Sequence, residues 1–289
     1  MTIDGKALAQ SIKEDLRERV ESLRLRYGRV PCLAVVIVGD NPASHLYVRS
    51  KIDAASFVGI DGMEIELPKD VSEEELLRTV SKLDSDPAID GVLVQLPLPR
   101  QINPDKVLDV ISPTKDVDGF HPRNVAYLHL GRPCTFPCTP KGIIRLIDST
   151  GTRIDGKRAV VVGRSNIVGE PVAKLLQDRN ATVTVAHSHT PDLAAITREA
   201  DILVVATGHA SLIDGSMIKP GAVVIDVGIT RDGVKLRGDV DFESASKVAS
   251  FITPVPGGVG PMTVAMLMEN TIECFEQRMA SLLSAPSEL

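Results

Sequence analysis

This chain has no surplus of positive charge: 32 Lys and Arg stand against 38 Asp and Glu, a formal net charge of −6. A sequence-independent nucleic-acid binder needs a basic surface, so that class is excluded, although a few local cations can still serve a small anion. Long apolar runs are also missing. None approaches the ~20 residues that cross a bilayer; the longest, such as Leu33 to Val38 and Ile202 to Ala206, have strand length. The opening Met-Thr-Ile-Asp-Gly-Lys lacks the basic-then-apolar order of a secretory signal. Cysteine is scarce, and Cys32, Cys134, Cys138 and Cys274 are too scattered for a disulfide framework. Cys134 and Cys138 have no second pair or suitably spaced His beside them, so no metal is expected. No internal repeat or low-complexity tract is present. These absences predict a soluble, reduced, cytoplasmic globular protein with no nucleic-acid or membrane partner.

At 289 residues, with 43% hydrophobic and 24% charged, the chain has ordinary globular composition and room for two domains. Residues 7–25 place Leu8, Ile12, Leu16, Val20 and Leu23 at helical spacing. A strand at 33–38 stops at Gly39-Asp40-Asn41-Pro42, and a helix follows over 44–58. Further strands are predicted at 63–67 and 91–96, with a helix after Ser72, whose spacing to Glu75 matches a capping box. Residues 112–138, carrying Pro113, Pro122, Pro133 and Pro137, read as a long irregular stretch. The alternation then restarts, with strands at 159–163, 181–186, 201–206 and 222–227. A Pro/Gly loop at 254–261 precedes a last helix over about 262–283, placed to pack back on the first domain. Alternating strands and helices predict an α/β protein with parallel sheets, the second doubly wound. Ligands in such sheets bind beyond the carboxyl ends of the strands.

Several residues could carry chemistry. Gly163-Arg164-Ser165-Asn166-Ile167-Val168-Gly169 follows a strand and opens a helix, a setting where free N–H groups and the helix dipole suit a phosphate. The spacing departs from G-x-G-x-x-G, and a tight turn needing small residues would read the same. The next strand ends Ala186-His187-Ser188-His189-Thr190, without the carboxylate that an NAD site usually presents to the ribose. Ser188 and Arg164 suit a 2′-phosphate better, favouring NADP; solvent-facing histidines at a strand end are the alternative for His187 and His189. Tyr47 and Lys51 stand one turn apart on one helix face. If that face lines a cleft, the ring could stack on a substrate and the amine could move a proton; a surface Tyr–Lys contact is the plainer reading. Gln95 ends a buried strand and needs a partner, if only nearby backbone. Asp118 precedes Gly119 and could simply set a turn.

Taken together, Asn41-Pro-Ala-Ser44, Tyr47-Val48, Lys51, Val94-Gln95-Leu96-Pro97-Leu98-Pro99, Lys115 to Pro122 and Pro137-Cys138-Thr139-Pro140 resemble the bifunctional methylenetetrahydrofolate dehydrogenase/methenyltetrahydrofolate cyclohydrolase family. Gly163-Arg164-Ser165 and Pro256-Gly-Gly-Val-Gly-Pro-Met-Thr263 continue the resemblance, which runs in order from residue 4 to about 275. It implies two α/β domains flanking a cleft: a folate-binding catalytic domain, 1–138, completed by the C-terminal helix 262–289, and a Rossmann-like NADP-binding domain, 139–261. It further implies NADP-dependent oxidation of 5,10-methylenetetrahydrofolate and hydrolysis of the methenyl product to 10-formyltetrahydrofolate, in one-carbon metabolism and purine biosynthesis.

Carried over by motif, Lys51 would be the acid–base group and Gln95 would hold it. Tyr47 would stack on the folate, and Asp118 would accept hydrogen bonds from the pterin edge. Val94, Leu96, Pro256, Gly257 and Gly258 would line the folate. Gly163, Arg164, Ser165, Ile167, Val168, Ser188, Thr207, Gly208 and Ile229 would meet NADP. Thr230, Ala210 and Ala126 depart from the family's usual Asn, Pro and Gly, the first two on the expected nicotinamide side, where they bear on cofactor affinity. The resemblance also implies tetrahydrofolate substrates, polyglutamylated or not, and a homodimer through the second domains, for which the expected hairpin around Val234 to Val240 is the candidate contact. A family member using NAD or having one activity, another NADP dehydrogenase, and a non-catalytic dinucleotide sensor are the rival readings. The last two leave Lys51, Gln95 and Asp118 unexplained.

Overall fold

The computed structural model describes residues 1–232 and 235–284. In chain order the elements are α1 (Gly5–Tyr27), β1 (Cys32–Val38), α2 (Pro42–Val58), β2 (Asp61–Leu67), α3 (Glu73–Ser85), β3 (Gly91–Val94), α4 (Pro104–Val110), α5 (Pro122–His129) and α6 (Cys138–Ser149). They continue as β4 (Arg158–Val162), α7 (Gly169–Asp178), β5 (Thr182–Ala186), α8 (Leu193–Thr197), β6 (Ile202–Val205), β7 (Val223–Asp226), β8 (Thr230–Asp232), β9 (Lys235–Arg237), α9 (Phe242–Ala245), β10 (Phe251–Ile252) and α10 (Val259–Ser284). Two compact units result. One comprises Ser11–Cys138 and the chain from Val264 on; the other comprises Met1–Gln10 and Thr139–Thr263.

The first unit is built on a parallel sheet ordered β2-β1-β3. Central strand β1 is apolar almost throughout, as a strand covered on both faces must be. Ala34, Val36, Val38, Val92 and Val94 form a core with Leu76 and Val80 of α3 and Val107 of α4. Each such burial contributes ~1.5–3 kcal/mol for a side chain of Val or Leu size. Helix α2 starts two residues earlier than its apolar pattern suggests. Asn41 Oδ1 caps it by accepting from Ala43 N at 2.9 Å, Pro42 occupies the first turn, and Gly59 at φ 89° ends it. The C-terminal part of α10 completes this unit. Arg278 donates to the fully buried Asp90 carboxylate at 2.6 Å, which also accepts two bonds from Arg29 at 2.8 Å.

The stretch 112–138 is less irregular than its prolines suggest. Pro122 sits at the start of α5, where a missing N–H costs nothing, and His121 Nδ1 caps that helix by accepting from Arg123 N at 3.0 Å. The tight turn before it is organised by Asp116, which accepts from Gly119 N at 3.0 Å, His121 N at 2.8 Å and Asn124 Nδ2 at 2.8 Å.

The second unit holds a parallel sheet ordered β10-β7-β6-β4-β5. Val160, Val162, Leu203, Val205 and Val224 lie in its core with Ile213 and Ala245. The chain leaves β4 toward β5 on one side and returns to β6 on the other, so the switch in strand order falls between β4 and β6. Residues 1–10, which the sequence assigns to the first domain, belong here instead: Thr2 bridges Ile252, and Ile3 N donates to Ile252 O at 2.8 Å. Backbone pairing with β10 fixes them, and Thr2-Ile3 is too short to carry a strand pattern. Of the expected hairpin, β8 and β9 pair antiparallel; Val234 lies outside the described residues. Among the described residues no helix is long and apolar enough to cross a membrane.

Candidate active site

In the first unit, α2 and the end of β3 bring Lys51 and Gln95 together. Lys51 Nζ donates to Gln95 Oε1 at 2.9 Å, and Gln95 Nε2 donates to Leu96 O at 2.6 Å. The second bond fixes which end of the amide faces the lysine. Gln95 therefore binds both nearby backbone and Lys51, and Lys51 makes its bond to Gln95 rather than to Tyr47. The Tyr47 ring lies one helical turn before Lys51 and is 45% exposed, available to stack on a planar ligand.

Asp118 completes this constellation. Burial pushes its carboxyl up from the usual carboxylate range; the Lys51 ammonium opposes that shift, Asp116 adds to it, and a weak Cys138 thiol bond at 3.8 Å opposes it. Because Asp116 sets the turn, the carboxylate of Asp118 is spared that task. Cys138 Sγ also donates to Val117 O at 3.3 Å, and Asn270 Nδ2 of α10 donates to Val117 O at 2.8 Å and Phe136 O at 2.9 Å. Asn270, fully buried between Glu269 and Thr271 on α10, belongs to no motif, and only its folded contacts reveal its role. Val94 and Leu96 flank Gln95; the Val94 side chain is committed to the core, so only its main chain can meet a ligand.

In the second unit, Gly163, Arg164, Ser165, Ser188 and Thr207 line one cavity of about 530 Å³ at the carboxyl edge of β4, β5 and β6. The glycines explain the loop. Gly163 has φ 115°, and a Cβ on it would lie 2.2 Å from Ala206 O; a Cβ on Gly169 would lie 2.2 Å from Gly163 O. Both are required for close approach of strand, loop and helix, the steric role such glycines play at dinucleotide sites. A cradle that any side chain would fill, an exposed guanidinium and hydroxyl beside it, and no carboxylate at the end of β5 fit the charge and shape of NADP. His187 also lines the cavity, with its Nδ1 accepting from His189 N at 3.2 Å. Leu193 and Leu212 supply apolar lining that no motif marked. Ile167 and Val168 lie on the same loop as Ser165, Gly208 beside Thr207, and Ile229 after β7, without lining this cavity. Thr230 Oγ1 donates to Gly208 O at 3.3 Å, so the unusual threonine ties two of these loops. Pro256, Gly257 and Gly258 form a separate turn before α10, with Gly257 at φ 105° and a Cβ on Gly258 placed 2.6 Å from Pro254 O.

A phosphate-type loop at the switch point of a parallel sheet, with a lysine, an amide and a shifted carboxylate gathered in the other unit, defines a dinucleotide-dependent α/β enzyme of two units. Comparison with known proteins narrows that class. Residues 3–118 match the model of the tetrahydrofolate dehydrogenase/cyclohydrolase catalytic domain, and residues 137–279 match that of the same family's NAD(P)-binding domain. The chain belongs to the tetrahydrofolate dehydrogenase/cyclohydrolase family. It is 58% identical over 272 residues to the bifunctional protein FolD of Listeria innocua, covering 94% of this chain and 95% of that one. The crystal structure of the bifunctional dehydrogenase/cyclohydrolase FolD from Campylobacter jejuni superposes with a TM-score of 0.94 at 48% identity, covering 96% of this chain and 99% of that one. The Trypanosoma brucei enzyme, solved with NADP cofactor and an inhibitor, gives a TM-score of 0.93 at 45% identity, covering 96% and 98%.

Proposed function

We propose that this protein oxidises 5,10-methylenetetrahydrofolate to the 5,10-methenyl cation with NADP and hydrolyses that cation to 10-formyltetrahydrofolate, with Lys51 as the acid–base group. The observation that carries the reading is the Lys51–Gln95 contact beside the shifted carboxylate of Asp118. When bound, NADP supplies the acceptor for the hydride leaving the folate methylene carbon. The protein's part in that step is orientation, which can supply much of a rate enhancement. Tyr47 offers a stacking face, and Asp118 can accept two parallel N–H bonds from the pterin's amino–amidine edge. Val94 and Leu96 flank these groups with main chain.

Hydrolysis asks more of the side chains. Water adds to the cationic carbon and gives up a proton, and the ring nitrogen that leaves that carbon takes one. A primary amine can serve both transfers. Gln95 holds it by a neutral acceptor, which positions Nζ without adding a counter-charge. Gly163, Arg164, Ser165 and Ser188 would hold the phosphates of NADP, with Ile167, Val168, Thr207, Gly208 and Ile229 on the adjoining loops of the same unit.

The test follows methenyltetrahydrofolate absorbance with the purified protein. Methylenetetrahydrofolate is supplied with NADP or with NAD, and the methenyl compound is supplied alone. Oxidation with NADP in preference to NAD, and hydrolysis faster than buffer, are expected. Oxidation without accelerated hydrolysis would make the protein a dehydrogenase only, and a preference for NAD would overturn the roles of Arg164 and Ser188.

The same reading includes a homodimer through the second unit, supported by the β8–β9 ribbon, on which Leu236 is exposed. Sedimentation at micromolar concentration should give twice the 31.0 kDa chain mass; a monomer there would remove the dimer. A cytoplasmic site of action is supported by four free thiols.

A further inference from the structure

Away from the Lys51 constellation, the first unit brings one imidazole and two carboxylates together in residues that no motif marked. Strand β2 is an edge of its sheet, and its side chains alternate between two faces. Ile65 and Leu67 pack on the core that α3 and α4 cover. The opposite face carries Gly62, Glu64 and Glu66, and it meets α2: a Cβ on Gly62 would lie 3.3 Å from Ile52 Cδ1 and 3.5 Å from Ala55 Cβ. His45 stands two helical turns before Ile52, so it shares that stripe of α2. The crossover from β1 through α2 to the parallel β2 sets the start of the helix against the end of the strand. His45 therefore meets Glu64 and Glu66, and one ring nitrogen and one oxygen from each carboxylate all lie within 4.8 Å of one another.

The imidazole is oriented from behind. His45 Nε2 lies 3.2 Å from Gly39 O, and a carbonyl only accepts, so Nε2 carries the proton. The neutral ring then presents the Nδ1 lone pair, 3.9 Å from Glu66 Oε1. A backbone carbonyl on the far nitrogen is the usual device that fixes a metal-bound histidine in tautomer and direction. Two ligand atoms each ~2.0–2.2 Å from one ion stand at most roughly 4 Å apart, so Nδ1 and Oε1 already satisfy that limit. Glu64 is exposed and free to make the sub-ångström shift that remains. Among the described residues neither glutamate pairs with a lysine or arginine. A cavity of about 380 Å³ opens beside them, where Asp40 and Lys69, one of each sign, leave the glutamates to set the local charge. Charges on an edge strand can serve only to keep another strand away, but that task needs no imidazole pinned at its far nitrogen.

We propose that His45, Glu64 and Glu66 bind one divalent transition-metal ion of the zinc class, through Nδ1 and one oxygen from each carboxylate. An imidazole with two carboxylates is a donor set such ions take, whereas magnesium and calcium prefer oxygen alone. Water fills the coordination positions that the protein leaves open. The ion ties the first turn of α2 to the edge strand β2, and so stabilises the folded chain by mass action. Tyr47 and Lys51 lie roughly 200° and 240° further round α2 than His45. The site is thus separate from the acid–base group, and the inference does not rest on the proposed function.

The full-length protein, stripped with a chelator, is titrated with Zn²⁺ in a calorimeter beside His45→Ala and the double variant Glu64→Gln/Glu66→Gln. The wild type should bind with a micromolar Kd. Each variant should bind at least ~tenfold more weakly, since even the loss of a group behind a ligand costs that much. Thermal unfolding should shift upward with Zn²⁺ in the wild type, and by less in both variants. Cooperative unfolding without metal shows that a variant is folded; if one variant is not, the other decides. Cys32 and Cys134, partly exposed thiols, are the competing ligands. Binding undiminished in the variants would place the ion on them or elsewhere and overturn the proposal. Binding no tighter than ~1 mM would overturn it as well, leaving an adventitious ion only and His45 in an ordinary imidazole–carboxylate contact. Mg²⁺ binding as tightly as Zn²⁺ would overturn the class of metal.

Discussion

Lys51→Met is expected to lose ~10²-fold or more in the rate of methenyltetrahydrofolate hydrolysis, the scale on which a positioned acid–base group acts. Methionine keeps an unbranched stem of similar length on α2, so the helix face and its packing are retained, but it carries no proton to give or take. Gln95 Oε1 loses its donor at 2.9 Å while Gln95 Nε2 keeps its bond to Leu96 O, so the amide stays in place. Folate binding should therefore fall far less than turnover, because Tyr47 and Asp118 remain. A second consequence has a definite sign. The Lys51 ammonium holds the Asp118 carboxyl down against its burial, so removing it lets that carboxyl rise further. Folate affinity in the variant should consequently be lost at a higher pH than in the wild type as the solution is acidified. Steady-state hydrolysis and equilibrium folate binding across pH check both points. A variant that hydrolyses within ~threefold of wild type would take the proton-transfer role from Lys51, since so small a loss lies below what general acid–base catalysis contributes.

The parts of this site legible in the sequence are those where a side chain's chemistry and its element coincide. Lys51 and Tyr47 share a face because a helix repeats every 3.6 residues, and α2 has both its cap residues in plain view. The parallel strands show because apolar runs of four to seven residues have few other uses. What stayed hidden depends on contacts between distant residues. Nothing near Asp118 in the chain says that Asp116 takes the turn, because both precede Gly119 and a carboxylate at either position can bond backbone N–H groups two or three residues on. Asp226 and Asp239 are thirteen residues apart and meet only when β7 and the segment after β9 are folded together. The N-terminal ten residues joined the second unit through main-chain pairing with Ile252, for which side chains give no signal. Prolines misled at 112–138 because the same residue that breaks a helix interior is favoured at its first turn, and only the cap at His121 tells the two apart.

Gly163→Ala should abolish useful NADP binding, raising Kd by ~10²-fold or more, through backbone geometry alone. The residue sits at φ 115°, outside the region that side chains ordinarily adopt, and its new methyl would stand 2.2 Å from Ala206 O and 2.9 Å from Ala206 C. Those atoms belong to the main chain at the end of β6, which cannot swing aside as a flexible side chain would. Relief requires the ends of β4 and β6 to separate, and Ala206 N already donates to Val162 O at 2.8 Å across that boundary. Strain of this kind costs ~1–3 kcal/mol and overpacking about as much again. The distortion falls on Arg164, Ser165 and Thr207, the groups lining the cavity. Hydrolysis of the methenyl compound supplied alone should survive, because Lys51, Gln95 and Asp118 all belong to the other unit. Calorimetric titration with NADP, alongside the hydrolysis assay, reads both effects. Loss of NADP binding with hydrolysis retained assigns cofactor binding to the switch point between β4 and β6; undiminished NADP binding would leave the glycine as an ordinary tight turn and move the cofactor elsewhere.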